Sequence, residues 1–440
     1  MARDHFTTGS IVTEMVRAPD IRDVLPAQSA SPAASVTAAK SGFNFYINGF
    51  RGLCVLLVFA YHVINSGLIP VSATPAPGKD AFLFFASSWR YGVELFFMIS
   101  GFVIINSLRR HKTIAAFLKD RCIRIFPVWV PVHLCIFSLG VALGWKYFAS
   151  TTLTDKFSVF ISNLLLLPPL VPIPVLHPAS WSLTYEWLFY LLAAASYALL
   201  VRKVNATMKA SIMLPASMIV MAVIIVGLLM LLPRALFFIP GVIVALNWQS
   251  IKESRWLQSP LLQYPLISLL LFLLAWRAVN LDEARPTTTA IAHVLSWPGL
   301  AWATLAFLSG LHLFICVCNG IGMARGLKQA SMQLLGNISY SFYLWHPIVM
   351  FAVKKPVTNW LVPHAGWFVS AIVFAVASFT LAVLISTASY RWIEQRLAKQ
   401  LKGWLSVDHS ARSETALPAT PASSSSSISP AMVVGQEGRI

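Results

Sequence analysis

The chain has 440 residues, of which 57% are hydrophobic and only 11% charged, and its mean hydropathy is +0.70. Soluble domains carry about a quarter charged residues, so this composition excludes an ordinary soluble protein and points to a polytopic membrane protein. The formal net charge of +17 would suggest a nucleic-acid partner in a soluble chain. Here it reads as the basic cytoplasmic loops of a membrane protein, with the lipid bilayer and no nucleic acid as partner.

Residues 1–44 are polar, rich in Ala, Ser, Thr and Pro, and are expected to form a disordered cytoplasmic tail. Apolar segments follow at roughly 47–67, 83–106, 125–144, 182–201, 211–232, 235–250, 260–278, 294–318, 332–352 and 367–389. About twenty apolar residues cross a bilayer, so the fold class is all-α, a transmembrane helical bundle of about ten spans. The stretch LLLLPPLVPIPVLHP (164–178) is apolar but broken by prolines, and reads as a re-entrant or interfacial segment. Residues 401–440 hold PATPASSSSSISPAM and form a second low-complexity cytoplasmic tail, leaving 45–400 as the membrane domain.

Lys and Arg in the loops set the orientation. With both termini cytoplasmic, Arg109, Arg110, Lys112, Lys119, Arg121 and Arg124 fall in one inside loop. Arg391, Arg396, Lys399 and Lys402 follow the last span, also inside. Arg234 and His177 fall in outer loops or at the interface. The five cysteines, Cys54, Cys122, Cys135, Cys316 and Cys318, show neither a disulfide framework nor the spacing of a metal site.

Ionisable groups inside a bilayer are costly, so each is a functional candidate. Four stand out: His62, Glu94 in RYGVELFFMISGF, Glu186 in SWSLTYEWLFY, and His346 in SYSFYLWHP. All fall at mid-depth or in the outer half of their spans, as a proton-transfer site inside a membrane requires. Arg51 and His62 are eleven positions apart in INGFRGLCVLLVFAYHV. That spacing puts them on one helical face about 16 Å apart, too far to touch. Arg121 and Arg124 stand at i, i+3 in RCIRIFP, on one face at the inner surface, a pair suited to a phosphate-bearing ligand.

Each residue also has a plainer reading. Arg51 suits a headgroup anchor, and Arg121 with Arg124 a site for anionic lipid. His62 suits an interhelical hydrogen bond, Glu94 and Glu186 a structural ion pair, and His346 the end of a span.

Six blocks of sequence resemble one family, the integral membrane O-acyltransferases of the acyltransferase 3 family. INGFRGLCVLLVFAYHV is similar to its first-helix R-x10-H signature, and GVELFFMISGFVI to its G-V-[DE]-x-F-F-x-[IL]-S-G-F segment. RCIRIFPVW resembles its R-x-x-R-I-x-P block, and SWSLTYEWLFYLL its W-[ST]-L-x-x-E-x-x-F-Y segment. ISYSFYLWHPIV resembles its I-S-Y-x-x-Y-L-x-H block, and SYRWIEQ its closing S-Y-x-x-[IV]-E. The blocks run in order over about residues 44–396. Asn48 stands where the family often has Asp, and Trp187 where a second Glu often follows.

The resemblance implies an enzyme of the cytoplasmic (inner) membrane. It would take an acyl group, acetyl by family habit, from a cytoplasmic acyl-CoA and pass it to a carbohydrate or glycolipid hydroxyl. Arg121 and Arg124 would hold the coenzyme phosphates, with Arg51 beside the thioester and acyl-CoA as co-substrate rather than bound cofactor. His62 would act as general base, with Glu94 or Glu186 orienting it and His346 as a second acid/base group or acceptor ligand. The competing expectation is a multi-span transporter or flippase for a glycan or small solute, since intramembrane charges suit that as well. Against it stand the absence of a convincing internal repeat and the inner R-x-x-R pair.

Overall fold

The computed structural model describes residues 45–68, 79–145, 147–148, 151–204, 213–259, 263–279 and 288–403. The two expected tails, 1–44 and most of 401–440, lie outside the described residues. Among the described residues the secondary structure is helical, with no β-strand.

α1 is Phe45–Ile64, and α2, Lys79–Ser87, runs through a 3₁₀ turn, Ser88–Tyr91, into α3, Gly92–Arg110. α4 is Ile114–Ala142 and α5 Leu153–Leu164. α6 is Ser180–Val204 and α7 Met213–Leu231. A 3₁₀ turn, Pro233–Phe237, leads into α8, Phe238–Leu246, followed by the short α9, Trp248–Glu253. α10 is Pro265–Val279, α11 Thr288–Leu295 and α12 Trp297–Asn319. α13 is Ala330–Pro356 and α14 Val362–Ser389, continued by a helical segment Tyr390–Leu397.

Among the described residues, five helical runs are long and apolar enough to cross a membrane, and a sixth arises if Met218–Leu231 and Pro233–Leu246, bent by 116°, count as one. This is fewer than the apolar segments suggest, for identifiable reasons. The bend at Leu232 and Pro233 joins two expected spans into one broken element, because proline cannot continue the ladder of hydrogen bonds. α10 has only 15 residues, about 22 Å at the helical rise. The run Ala330–Gly403 is not one rod. The hydroxyls of Ser341 and Ser389 are hydrogen-bonded at 3.0 Å, although 48 residues separate them, about 72 Å in a straight helix. α13 and α14 therefore fold back on each other. The membrane face is apolar, as exposed Ile219, Val223 and Val226 on α7 and Val376 and Leu384 on α14 show.

α1 and α13 run side by side in the same direction. Asn48 Nδ2 donates to Gln333 Oε1 at 3.0 Å and Asn337 Oδ1 at 3.1 Å, and farther along the Phe59 and Phe342 rings are 5.8 Å apart. An aspartate at 48 could not donate these bonds, so the asparagine is a structural clamp. Close approach depends on glycine: a Cβ at Gly336 would lie 2.0 Å from the Asn48 carbonyl oxygen, and one at Gly52 2.6 Å from that of Met332.

Two loop expectations change. The basic stretch before residue 125 is helix, not loop: α4 starts at Ile114, capped by Thr113 Oγ1 accepting from Ala116 N, and continues through Pro127 and Pro131. Residues 165–179 are non-helical, as expected of a re-entrant or interfacial segment, and it is His177, expected in an outer loop or at the interface, that changes place. His177 is fully buried, its Nε2–H donating to the Leu344 carbonyl at 2.9 Å while Nδ1 accepts from Ala179 N at 3.1 Å. A backbone rich in proline leaves carbonyls without helical partners, and this histidine pins one such segment to α13.

Candidate functional site

Among the described residues, a cavity of about 120 Å³ lies between α1, α3, α4, α6 and α13. Arg51, Arg121, Arg124 and Glu186 all line it, with Ser100, Tyr190 and Tyr343 among the rest of the wall. Arg51 enters from α1, its Nε donating to Ser339 Oγ at 3.1 Å, and the Ser339 hydroxyl is held by the Gly336 carbonyl at 2.8 Å. Arg121 and Arg124 enter from α4, one turn apart, as their i, i+3 spacing demands.

The two α4 arginines are steered by groups at the cavity rim. Arg124 Nη1 pairs with Glu394 Oε2 at 2.8 Å, and Glu394 Oε1 accepts from Ser341 Oγ at 2.6 Å. Its guanidinium lies 5.2 Å from the centre of the Tyr340 ring. Arg121 pairs with Asp120, which also holds Lys402 at 2.5 Å, and its Nε is buried without a partner. A second hollow of about 240 Å³, lined by Asp120, Glu394 and Lys402, shares Arg121 and Arg124 as a wall. Three guanidinium groups thus converge from two helices. That arrangement suits a phosphate-bearing ligand, because guanidinium forks match phosphate oxygens bidentately. Glu186 sits among them, its Oε1 accepting from Ser100 Oγ at 2.9 Å and from the Tyr190 hydroxyl.

His62 lies away from this cavity, on the same face of α1. Its ring centre is 5.3 Å from that of His346 on α13. The His346 Nδ1–H donates to the Phe342 carbonyl at 3.0 Å, while Nε2 is buried with no partner. Tyr343 connects the two regions: it lines the cavity, and its ring centre is 6.1 Å from that of His346. The Tyr343 hydroxyl bonds Ser182 Oγ at 2.8 Å.

Glu94 stands elsewhere. Its Oε1 accepts from Arg234 Nε at 2.5 Å and from Trp276 Nε1 at 3.1 Å. Arg234, expected in an outer loop, is buried instead, with its guanidinium 4.1 Å from the centre of the Trp181 ring. A buried carboxylate demands a cation, and the elbow between α7 and α8 supplies it.

Against this geometry the comparisons are specific. The sequence model described as Acyltransferase domain, Acyl_transf_3, matches residues 44–390, most of the chain. The chain belongs to the acyltransferase 3 family. Among its curated relatives are acyltransferase MdmB of Streptomyces mycarofaciens, 26% identical over 69% of this chain and 78% of that protein, and the O-acetyl transferase of Shigella phage Sf6, 24% identical over 80% and 97%. The exopolysaccharide production protein ExoZ of Rhizobium meliloti (strain 1021) is 29% identical over 60% of this chain and 77% of that protein. No solved structure matches the chain significantly.

In this acyltransferase the candidate residues therefore divide into three groups: Arg51, Arg121, Arg124 and Glu186 at the cavity, His62 with His346, and Glu94 with Arg234. Neither glutamate hydrogen-bonds to His62. Sequence reasoning missed Arg234, whose one visible signal is a lone charge inside MLLPRALFF, and left Glu394 in SYRWIEQ without a role. It also missed Ser339 and Tyr343, both within the quoted ISYSFYLWHPIV block.

Proposed function

We propose that this acyltransferase moves an acyl group, acetyl in the first instance, from a cytoplasmic acyl-CoA to a hydroxyl of a carbohydrate or glycolipid acceptor. The observation that carries the reading is the convergence of Arg51, Arg121 and Arg124 on one cavity, with Arg51 on the same helix as His62. The arginines hold the coenzyme phosphates, and the pantetheine arm carries the thioester past Tyr343 toward His62. His62 takes the acceptor proton as the hydroxyl oxygen attacks the thioester carbonyl. The C–S bond then breaks, and the leaving thiolate recovers the proton from the imidazolium.

In the cytoplasmic membrane, a multi-pass bundle with both termini inside would put the arginine end at the cytoplasm, where acyl-CoA is made, and His62 in the outer half. The names of the phage O-acetyl transferase and the exopolysaccharide protein favour a surface glycan as acceptor. Radiolabelled acetyl-CoA given to native membranes tests the reading. Label is expected in the carbohydrate fraction, and His62→Ala is expected to abolish it while the protein still accumulates. A transporter or flippase would leave the acetyl-CoA unconsumed.

A further inference from the structure

We propose that His346 orients His62, filling the place that a carboxylate holds beside other catalytic histidines. The inference rests on the reading of His62 as general base and names the group that sets its tautomer. A base that takes a proton at one ring nitrogen works best when the other nitrogen carries its hydrogen into a fixed acceptor. Both glutamates are engaged elsewhere: Glu94 Oε1 with Arg234 and Trp276, and Glu186 Oε1 with Ser100 and Tyr190. His177 uses both ring nitrogens, on Leu344 O and Ala179 N, and the Tyr343 hydroxyl is taken by Ser182.

Glu94 Oε2 is buried without a partner, but that carboxylate is bound through Oε1 to Arg234 and Trp276, whereas His346 stands against the His62 ring. A carbonyl only accepts, so the bond from His346 Nδ1 to the Phe342 oxygen fixes the hydrogen on Nδ1 and leaves a lone pair on Nε2. That nitrogen is buried and unpartnered, on a residue with 0% exposure. A buried acceptor without a donor is costly, and such groups call for an explanation. The His62 ring centre is 5.3 Å away. Imidazoles at that separation bring facing nitrogens to about 3 Å after a small side-chain rotation, the kind of tightening that catalytic hydrogen bonds undergo on substrate binding. Phe342, stacked on His346 with ring centres 5.7 Å apart, and Phe59, 6.3 Å from it, hold the ring in place.

In this arrangement the His62 N–H donates to His346 Nε2, and the other His62 nitrogen accepts the proton of the attacking hydroxyl. The imidazolium formed keeps its bond to His346 until the departing thiolate takes the proton, so His346 exchanges none. The test compares His346→Gln with His346→Asn by initial rates of label transfer from acetyl-CoA into the carbohydrate of native membranes. Glutamine places an amide oxygen where Nε2 lies; asparagine keeps a donor for Phe342 O but does not reach His62. The asparagine variant is expected to lose about 100-fold in kcat with little change in KM for acetyl-CoA, and the glutamine variant to retain at least about tenfold more activity than asparagine. Equal loss in both, a loss confined to KM, or an asparagine variant as active as wild type would overturn the assignment. His62→Ala, measured beside them, separates the readings: if it stays active the base itself is misassigned, and if it is inactive the histidine pair alone is judged.

Discussion

Arg234 Nε donates a 2.5 Å hydrogen bond to Glu94 Oε1 between side chains that are 5% and 0% exposed. The pair ties the elbow of α7 and α8 to the first turn of α3, one turn before Phe97 and two before Ser100, both of which line the arginine cavity. It shapes the site from behind rather than facing it.

Removing one partner strands a buried charge, whereas replacing both with apolar groups also removes the cost of burying them. Arg234→Met is expected to destabilise the protein by about 3–5 kcal/mol, and the double variant Glu94→Leu/Arg234→Met to recover most of that loss. Thermal unfolding of the purified variants in one detergent reads both. A double variant less stable than the single one would show that the two residues act separately.

Arg51 is expected to serve donor binding more than chemistry. Its guanidinium meets Ser339 and no carboxylate among the described residues, which leaves its other donors for a ligand. Arg51→Lys keeps the charge but loses the planar fork, so KM for acetyl-CoA should rise about tenfold, about 1.4 kcal/mol, with kcat within about twofold. Saturation kinetics in native membranes check this, and a fall in kcat at constant KM would place Arg51 in the reacting step.

The glycine contact between α1 and α13 sets the spacing of both functional pairs, Arg51 with Ser339 and His62 with His346. Gly336→Ala would drive a methyl group to 2.0 Å from the Asn48 carbonyl oxygen, and the helices must part. The expected cost is about 1–3 kcal/mol, as for other overpacked contacts, with activity reduced in parallel. Gly326→Ala, where an added Cβ meets open space, is the control and should leave the melting temperature within about 1 °C, the range of a neutral surface change.

Asp155 offers a pH-dependent test outside the long helices. Its carboxylate accepts from the Thr152 hydroxyl and backbone N–H, closing a capping box at the start of α5, and these bonds hold its pKa below the ordinary value. A depressed carboxylate stabilises the fold above its unfolded pKa of about 3.9, and that contribution is lost as the pH falls through the lower folded value. Amide hydrogen exchange over residues 153–158, corrected for intrinsic rates, should quicken below about pH 4. Asp155→Asn should flatten that dependence. Unchanged protection at low pH would remove the capping box from the account.

Much of this protein was legible in its sequence. Hydrophobic runs of bilayer length require helices, since a backbone in lipid must satisfy its own hydrogen bonds. The R-x10-H spacing puts Arg51 and His62 on one face of α1, and the R-x-x-R spacing does the same for Arg121 and Arg124 on α4, because helical periodicity is local. The family blocks were equally visible, and the match over residues 44–390 agrees with them.

Tertiary structure alone decided what those residues meet. Glu94 could not be paired with Arg234, 140 positions away, from any pattern in the chain, nor His62 with His346, nor Arg124 with Glu394. The number of passes was also not a matter of composition: the 116° bend at Leu232 and the doubling back of α14 on α13 depend on where helices pack. Local periodicity determines which face of a helix a side chain occupies, and only the packing of one helix against another determines its partner. Buried charges make that second choice stringent, because each must find an opposite charge or a full set of hydrogen bonds somewhere in the bundle.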